Sequence, residues 1–73
     1  MDKKTLVRRL TSFCNGAEMI TPEKVKMFTG LGRNRVMDTL EGLDFLMSDG
    51  GVRHYFIPDV AERIMERSRR SGV

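Results

Sequence analysis

The chain has one cysteine, Cys14, and one histidine, His54. A disulfide within the chain is therefore excluded, and so is a zinc site built from the usual four Cys and His ligands. No apolar run approaches the ~18 residues that a membrane-spanning helix needs. The N-terminus has no signal-peptide core, so a cytoplasmic location is the expectation. The residues of catalysis are equally sparse. No nucleophile has a base beside it in sequence, no paired-acid motif occurs, and no glycine loop of the Walker type is present. Gly30-Leu31-Gly32 lacks the preceding strand that a dinucleotide fingerprint requires. The reading is of a protein that is not an enzyme, with no cofactor and no small-molecule substrate.

Turning to what is there, 73 residues suffice for one domain. A chain of this size buries only about 60% of its unfolded surface, so nearly every periodic apolar position must point inward. The formal charge is +3, from 13 Lys and Arg against 10 Asp and Glu, and the isoelectric point is near 9.5. The excess is uneven. Lys3, Lys4, Arg8 and Arg9 stand against Asp2 at one end, and Arg63, Arg67, Arg69 and Arg70 against Glu62 and Glu66 at the other. The span from Glu23 to Asp44 is balanced, four positive against four negative. The basic surface thus belongs to the two terminal helices and the region of Arg53. Such patches attract phosphate, although each run alone is equally consistent with a solvated helix face.

Periodicity supplies the order of elements. Leu6, Leu10, Phe13 and Cys14 fall at the spacing of one buried stripe, predicting a helix from Asp2 to Cys14 with Val7 beside the stripe. Asn15-Gly16 ends it. Ala17 to Ile20 is too short for a helix and reads as a stub of strand. Thr21 then caps a second helix, with Pro22 at its first position, Glu23 complementing its dipole, and Ile20 and Val25 forming a hydrophobic staple. That helix ends near Thr29 because Gly30-Leu31-Gly32 cannot continue it. A third helix starts at Arg33 and carries Val36, Leu40 and Leu43 on one side. Phe45 to Ser48, a turn at Asp49-Gly50-Gly51, and Val52 to Ile57 read as a hairpin closed by Pro58. Asp59 with Glu62 predicts a capping box opening a last helix that bears Val60, Ala61, Ile64 and Met65. Cys14 reads as a buried small hydrophobe, and Met19, Met47 and Met65 as fillers of a small core.

Val25, the Gly30-Leu31 turn, and Val36, Leu40 and Leu43 resemble the structural positions of the helix-turn-helix in winged-helix transcriptional regulators, and the hairpin from Phe45 to Ile57 resembles their wing. The resemblance covers about three quarters of the chain. One departure is Lys26, where that superfamily has a small residue at the helix crossing; its stem can lie along the crossing with the ammonium in water. Another is Gly32, a weak cap in place of Ser or Thr. The resemblance implies an α+β fold, mainly α: a three-helix core with a helix-turn-helix, a two-stranded wing and a C-terminal helix. Residues 1–73 would form this single winged-helix domain, with 68–73 a flexible basic tail.

The resemblance also implies that the third helix enters the major groove of double-stranded DNA. The DNA-binding set would be Thr29, Arg33, Asn34, Arg35, Met37, Asp38, Arg53 and His54. Arg33 and Arg35 can pair with guanine or phosphate, and Asn34 offers the donor and acceptor that suit adenine. Thr29 and the amides after Gly32 can hold phosphate. Arg53 and His54 near the wing tip suit phosphate or the minor groove, while His54 between Arg53 and Tyr55 is as a plain strand residue purely structural. Asp38 can accept from cytosine, but with Glu41 it also repels phosphate, which limits how deeply the helix inserts. Useful affinity calls for a dimer or a cofactor protein, and the terminal helices offer Val60, Ile64 and Met65 for a homodimer contact if the core does not take them. The competing reading is a winged-helix adaptor that binds protein and no nucleic acid.

Overall fold

The computed structural model describes residues 2–71, with side chains described to residue 67. Among these residues there are four helices and a three-stranded antiparallel sheet, in the order α1 (Lys3–Phe13), β1 (Met19–Ile20), α2 (Pro22–Thr29), α3 (Arg33–Leu40), β2 (Phe45–Met47), β3 (Arg53–Phe56) and α4 (Ile57–Ser71). The architecture is small, α+β and mainly helical. The tail expected over 68–73 falls on side chains, and on two final residues, that lie outside the described residues. No described helix is long and apolar enough to cross a membrane.

Local chemistry sets the helix ends. The Thr5 amide donates to Asp2 Oδ1 at 2.8 Å, capping α1 and holding the Asp2 carboxyl below the usual carboxylate range. Lys24 N donates to Thr21 Oγ1 at 3.3 Å, a longer cap on α2, with Pro22 in the first turn. Gly30 takes a φ of 74° and its N–H closes onto Lys26 O at 2.8 Å, so the chain turns sharply into α3. The first helix, the second helix and the start of the third thus lie where periodicity and caps place them, to within a residue.

The expected stub is present as a two-residue strand, but it joins the hairpin: Met19 and Ile20 pair with Phe56 and Tyr55, making β3 the centre of the order β1-β3-β2 where a two-stranded wing was expected. On its other side β3 pairs Tyr55, His54 and Arg53 with Phe45, Leu46 and Met47. α3 ends at Leu40, before the expected Leu43; Gly42 adopts a φ of 83° and Leu43 donates to Leu40 O at 3.1 Å, packing against the core from outside the helix. The hairpin arm does not close at Pro58. Ile57 already begins α4, although its N–H still donates to Glu18 O at 3.1 Å, so strand passes into helix with no loop. Pro58 sits in the first turn of that helix, where a missing N–H costs nothing, and Asp59 is a first-turn acid instead of a cap.

The core is a cluster of Leu6 and Leu10 from α1, Ile20, Val25, Val36 and Leu40, Tyr55, and Ile57, Val60 and Ala61 from α4. Cys14 packs partly buried against it, and desolvation raises its thiol pKa, as suits a small hydrophobe. Met19 and Met65 are half-buried, but Met47 is 58% exposed and fills no gap in the core. The three apolar residues offered for a dimer contact are spent inside the chain: Val60 is fully buried, and Ile64 and Met65 pack against the cluster. Leu10 is fully buried in α1, the helix that packs along α4. Leu10→Ala should cost about 3 kcal/mol, a large share of the ~4–10 kcal/mol a domain of this size holds; urea denaturation followed by circular dichroism would show the lowered midpoint.

Candidate nucleic-acid interface

α3 sits with Val36, Thr39 and Leu40 inward. Thr39 has its hydroxyl satisfied by donating to Arg35 O at 2.8 Å. The opposite side of the helix therefore carries Asn34 and Asp38, with Arg33 and Met37 on one flank and Arg35 on the other; all five are exposed. Gly32 has no side chain to cap the helix, so the first amides of α3 have no side-chain partner. Thr29 is used differently from the sequence expectation. Its hydroxyl donates to Val25 O at 2.8 Å and accepts from Leu31 N at 3.2 Å. The proton that would go to a phosphate is committed to holding the turn.

Between this helix pair and the hairpin lies an open cleft of about 430 Å³. α2 contributes Pro22, Glu23 and Lys26; α3 contributes Arg33, Val36 and Met37; the hairpin contributes Gly51, Val52 and Arg53. Three cations, Lys26, Arg33 and Arg53, thus meet one carboxylate, Glu23, around a single opening. Arg53 is held in place by its guanidinium, which stacks over the Phe45 ring at 4.6 Å from the centroid. Lys24, by contrast, lies on the α1 side, over the Phe13 ring at 5.8 Å.

Strand alternation separates the two hairpin residues that sequence reading had put together. Arg53 shares the face of Tyr55, toward α3, whereas His54 turns to the other face with Leu46 and Phe56. His54 is half-buried and lies away from the cleft. The site therefore joins Arg33, Met37 and Arg53 and leaves His54 out. It adds Lys26, whose place after the buried Val25 was visible in the sequence as a departure at the helix crossing. A second opening, about 290 Å³, lies between Arg53 and the far half of α3, where Asp38 and Glu41 line it. The accessible surface of α3 is thus basic at its N-terminal end and acidic at its C-terminal end.

The basic run of α4 has a task that spacing does not reveal. Arg63 Nη1 donates to Thr39 O at 3.2 Å and to Glu41 O at 2.7 Å, and Arg67 Nη2 donates to Asp38 O at 3.1 Å. These are the carbonyls a helix leaves unsatisfied at its C-terminus, where positive charge also suits the dipole. Arg63 is further set by a 3.9 Å ion pair with Glu66. Two arginines expected as free phosphate-attracting surface instead tie α3 to α4. Among the described residues no three His, Cys, Asp or Glu are grouped to hold a metal ion. Comparison with protein-family models, with curated proteins and with solved structures finds no match.

Arg63→Ala removes two charge-assisted bonds and should cost about 2 kcal/mol. Chemical denaturation would measure the loss, and amide exchange should speed up in the last turn of α3 before it does in α1.

Proposed function

We propose that this chain is a winged-helix module that binds double-stranded DNA, with α3 as the recognition helix and the β2–β3 hairpin as the wing, and that it acts in transcription regulation. The observation that carries the reading is the convergence of Lys26, Arg33 and Arg53, from three separate elements, on the rim of one cleft. Cations brought together by the fold attract a phosphate backbone far better than the net charge of +3 suggests. The uncapped amides of α3 open beside Arg33 and favour an anion for the same reason. Asn34 and Arg35 on the first turn are then the residues within reach of base edges. Asp38 and Glu41 resist deeper insertion, so the contact concentrates at the N-terminal end of α3 and on the wing.

The adaptor reading has one observation in its favour: Leu46, Met47 and Val52 are exposed apolar residues on the hairpin. The two readings separate on duplex binding at low salt. The DNA reading expects log affinity for random duplex to fall linearly with log salt, with Lys26→Ala, Arg33→Ala and Arg53→Ala each reducing the slope by about one. Asp38→Asn should strengthen binding, most at low ionic strength. Absence of any duplex binding at low salt in a fluorescence-anisotropy titration would leave the adaptor reading in its place.

A further inference from the structure

β2 is an edge strand, and all three of its residues are exposed and apolar: Phe45 at 39%, Leu46 at 57% and Met47 at 58%. Edge strands are ordinarily guarded against pairing by lysine, proline, a bulge or a covering element. Within β2 none of the first three is present, and among the described residues only β3 pairs with it, so its short length of three residues is the guard it has.

The direction of its free backbone groups follows from the ladder. Ser48 N donates to Val52 O at 2.9 Å, and the register runs on through Leu46 opposite His54. In an antiparallel pair the hydrogen-bonded and non-hydrogen-bonded residues alternate. Ser48 and Leu46 therefore turn their polar groups toward β3, and Phe45 and Met47 turn theirs outward. On the other side of β3 the same alternation holds, since Ile57 N donates to Glu18 O at 3.1 Å.

We propose that β2 pairs with β2 of a second copy of this chain, antiparallel, about a two-fold axis through Leu46. In that register Phe45 of each copy faces Met47 of the other, and each of these pairs exchanges both N–H···O bonds with the outward groups. Leu46 meets Leu46 on the axis as the close, non-hydrogen-bonded pair. All the apolar side chains of the strand gain an apolar partner. Asp44 falls opposite Ser48, so no like charges face each other. Sliding the register by two residues in one direction sets Asp44 opposite Leu46, and in the other sets Asp49 opposite Phe45; the register centred on Leu46 avoids both.

The axis of such a pairing is perpendicular to the sheet, so the two copies present the same sheet face to the same side. That face carries Tyr55 and Arg53, which line an opening together with residues of α3. Both copies of α3 then lie on one side of a continuous sheet. Resting on the DNA-binding reading, a palindromic site is the matching target. The contact is at the small end of the size range for protein pairs, so monomer and dimer should exchange with concentration.

Sedimentation of the protein without DNA tests the pairing independently of that reading. The wild-type chain should approach twice the monomer mass as concentration rises. Met47→Pro removes an outward N–H without touching the ladder to β3, and Leu46→Lys sets two cations on the axis. Both should stay monomeric with unchanged circular dichroism, while Val52→Lys, at the hairpin tip, should still dimerise. In a chain carrying Cys14→Ser, Leu46→Cys should cross-link on oxidation, because the paired Cα atoms would lie about 4.5 Å apart, inside the ~4.4–6.8 Å range of disulfides. Phe45→Cys, two residues out of register with its own copy, should not. A wild-type chain that is monomeric at millimolar concentration, or a dimer that survives both Met47→Pro and Leu46→Lys, would overturn the proposal. A dimer that forms and is broken by those variants, yet binds no duplex, would support the pairing and count only against the DNA reading.

Discussion

Everything at the candidate interface depends on how α3 is held, and its most exacting anchor is electrostatic. Its inward side chains, Val36 and Leu40, are short, and the helix has only eight residues. Packing of that kind fixes which side faces the core. The guanidinium groups of Arg63 and Arg67 add directional bonds to it by taking three backbone carbonyls from its last residues. A guanidinium is suited to the task because its donors form a rigid planar fork that reaches two oxygens at once. The arginines thereby complete a helix end that the turn at Gly42 begins to close, and α4 becomes the frame on which α3 is aimed at the hairpin.

The same constraint divides the charge of the chain into structural and available parts. Arginines counted together in the sequence have different fates: Arg63 and Arg67 face carbonyls, whereas Arg33 and Arg53 face an open cleft. Net charge sums these as equals, but an anion outside the molecule does not. The acids of the second half of α3 lie toward a separate opening, with Arg53 bordering both. A gradient from basic to acidic along one short helix follows, and it orients any polyanion toward the N-terminal end of α3, where the helix dipole also helps.

The sheet has a comparable division. β3 is central and supplies Tyr55 to the core, while β1, though only two residues long, is secured by the buried Ile20 and by the bond from Ile57 to Glu18. Among the described residues β2 receives no such cover. Its apolar residues are an ordinary strand composition, and nothing local distinguishes them from core.

Helices α1 and α2, the turn at Gly30 and the start of α3 were legible in the sequence because their determinants are local. A cap lies three residues from the amide it accepts from, a proline fixes its own φ, and a glycine takes a left-handed φ on its own account. The apolar stripe of α1 and the presence of a hairpin were legible for the same reason, since period and turn chemistry act within a few residues. The limits of α3 and α4 were not, because Leu43 and Ile57 are apolar whether they lie inside a helix or beside one. The site divides likewise. Arg33, Asn34 and Met37 could be placed outward from helical period alone. The removal of His54 from the cleft needed the register of β3, and the use of Thr29 within the turn needed the position of Leu31 N. The recruitment of Lys26, the retirement of Arg63 and the exposure of Met47 needed the docking of elements more than 20 residues apart, as the 24-residue separation of Arg63 and Thr39 shows. Local chemistry determined which segments are helix, turn and strand. Tertiary structure alone decided which charges remain free, because a side chain's partner is set by what the fold brings beside it.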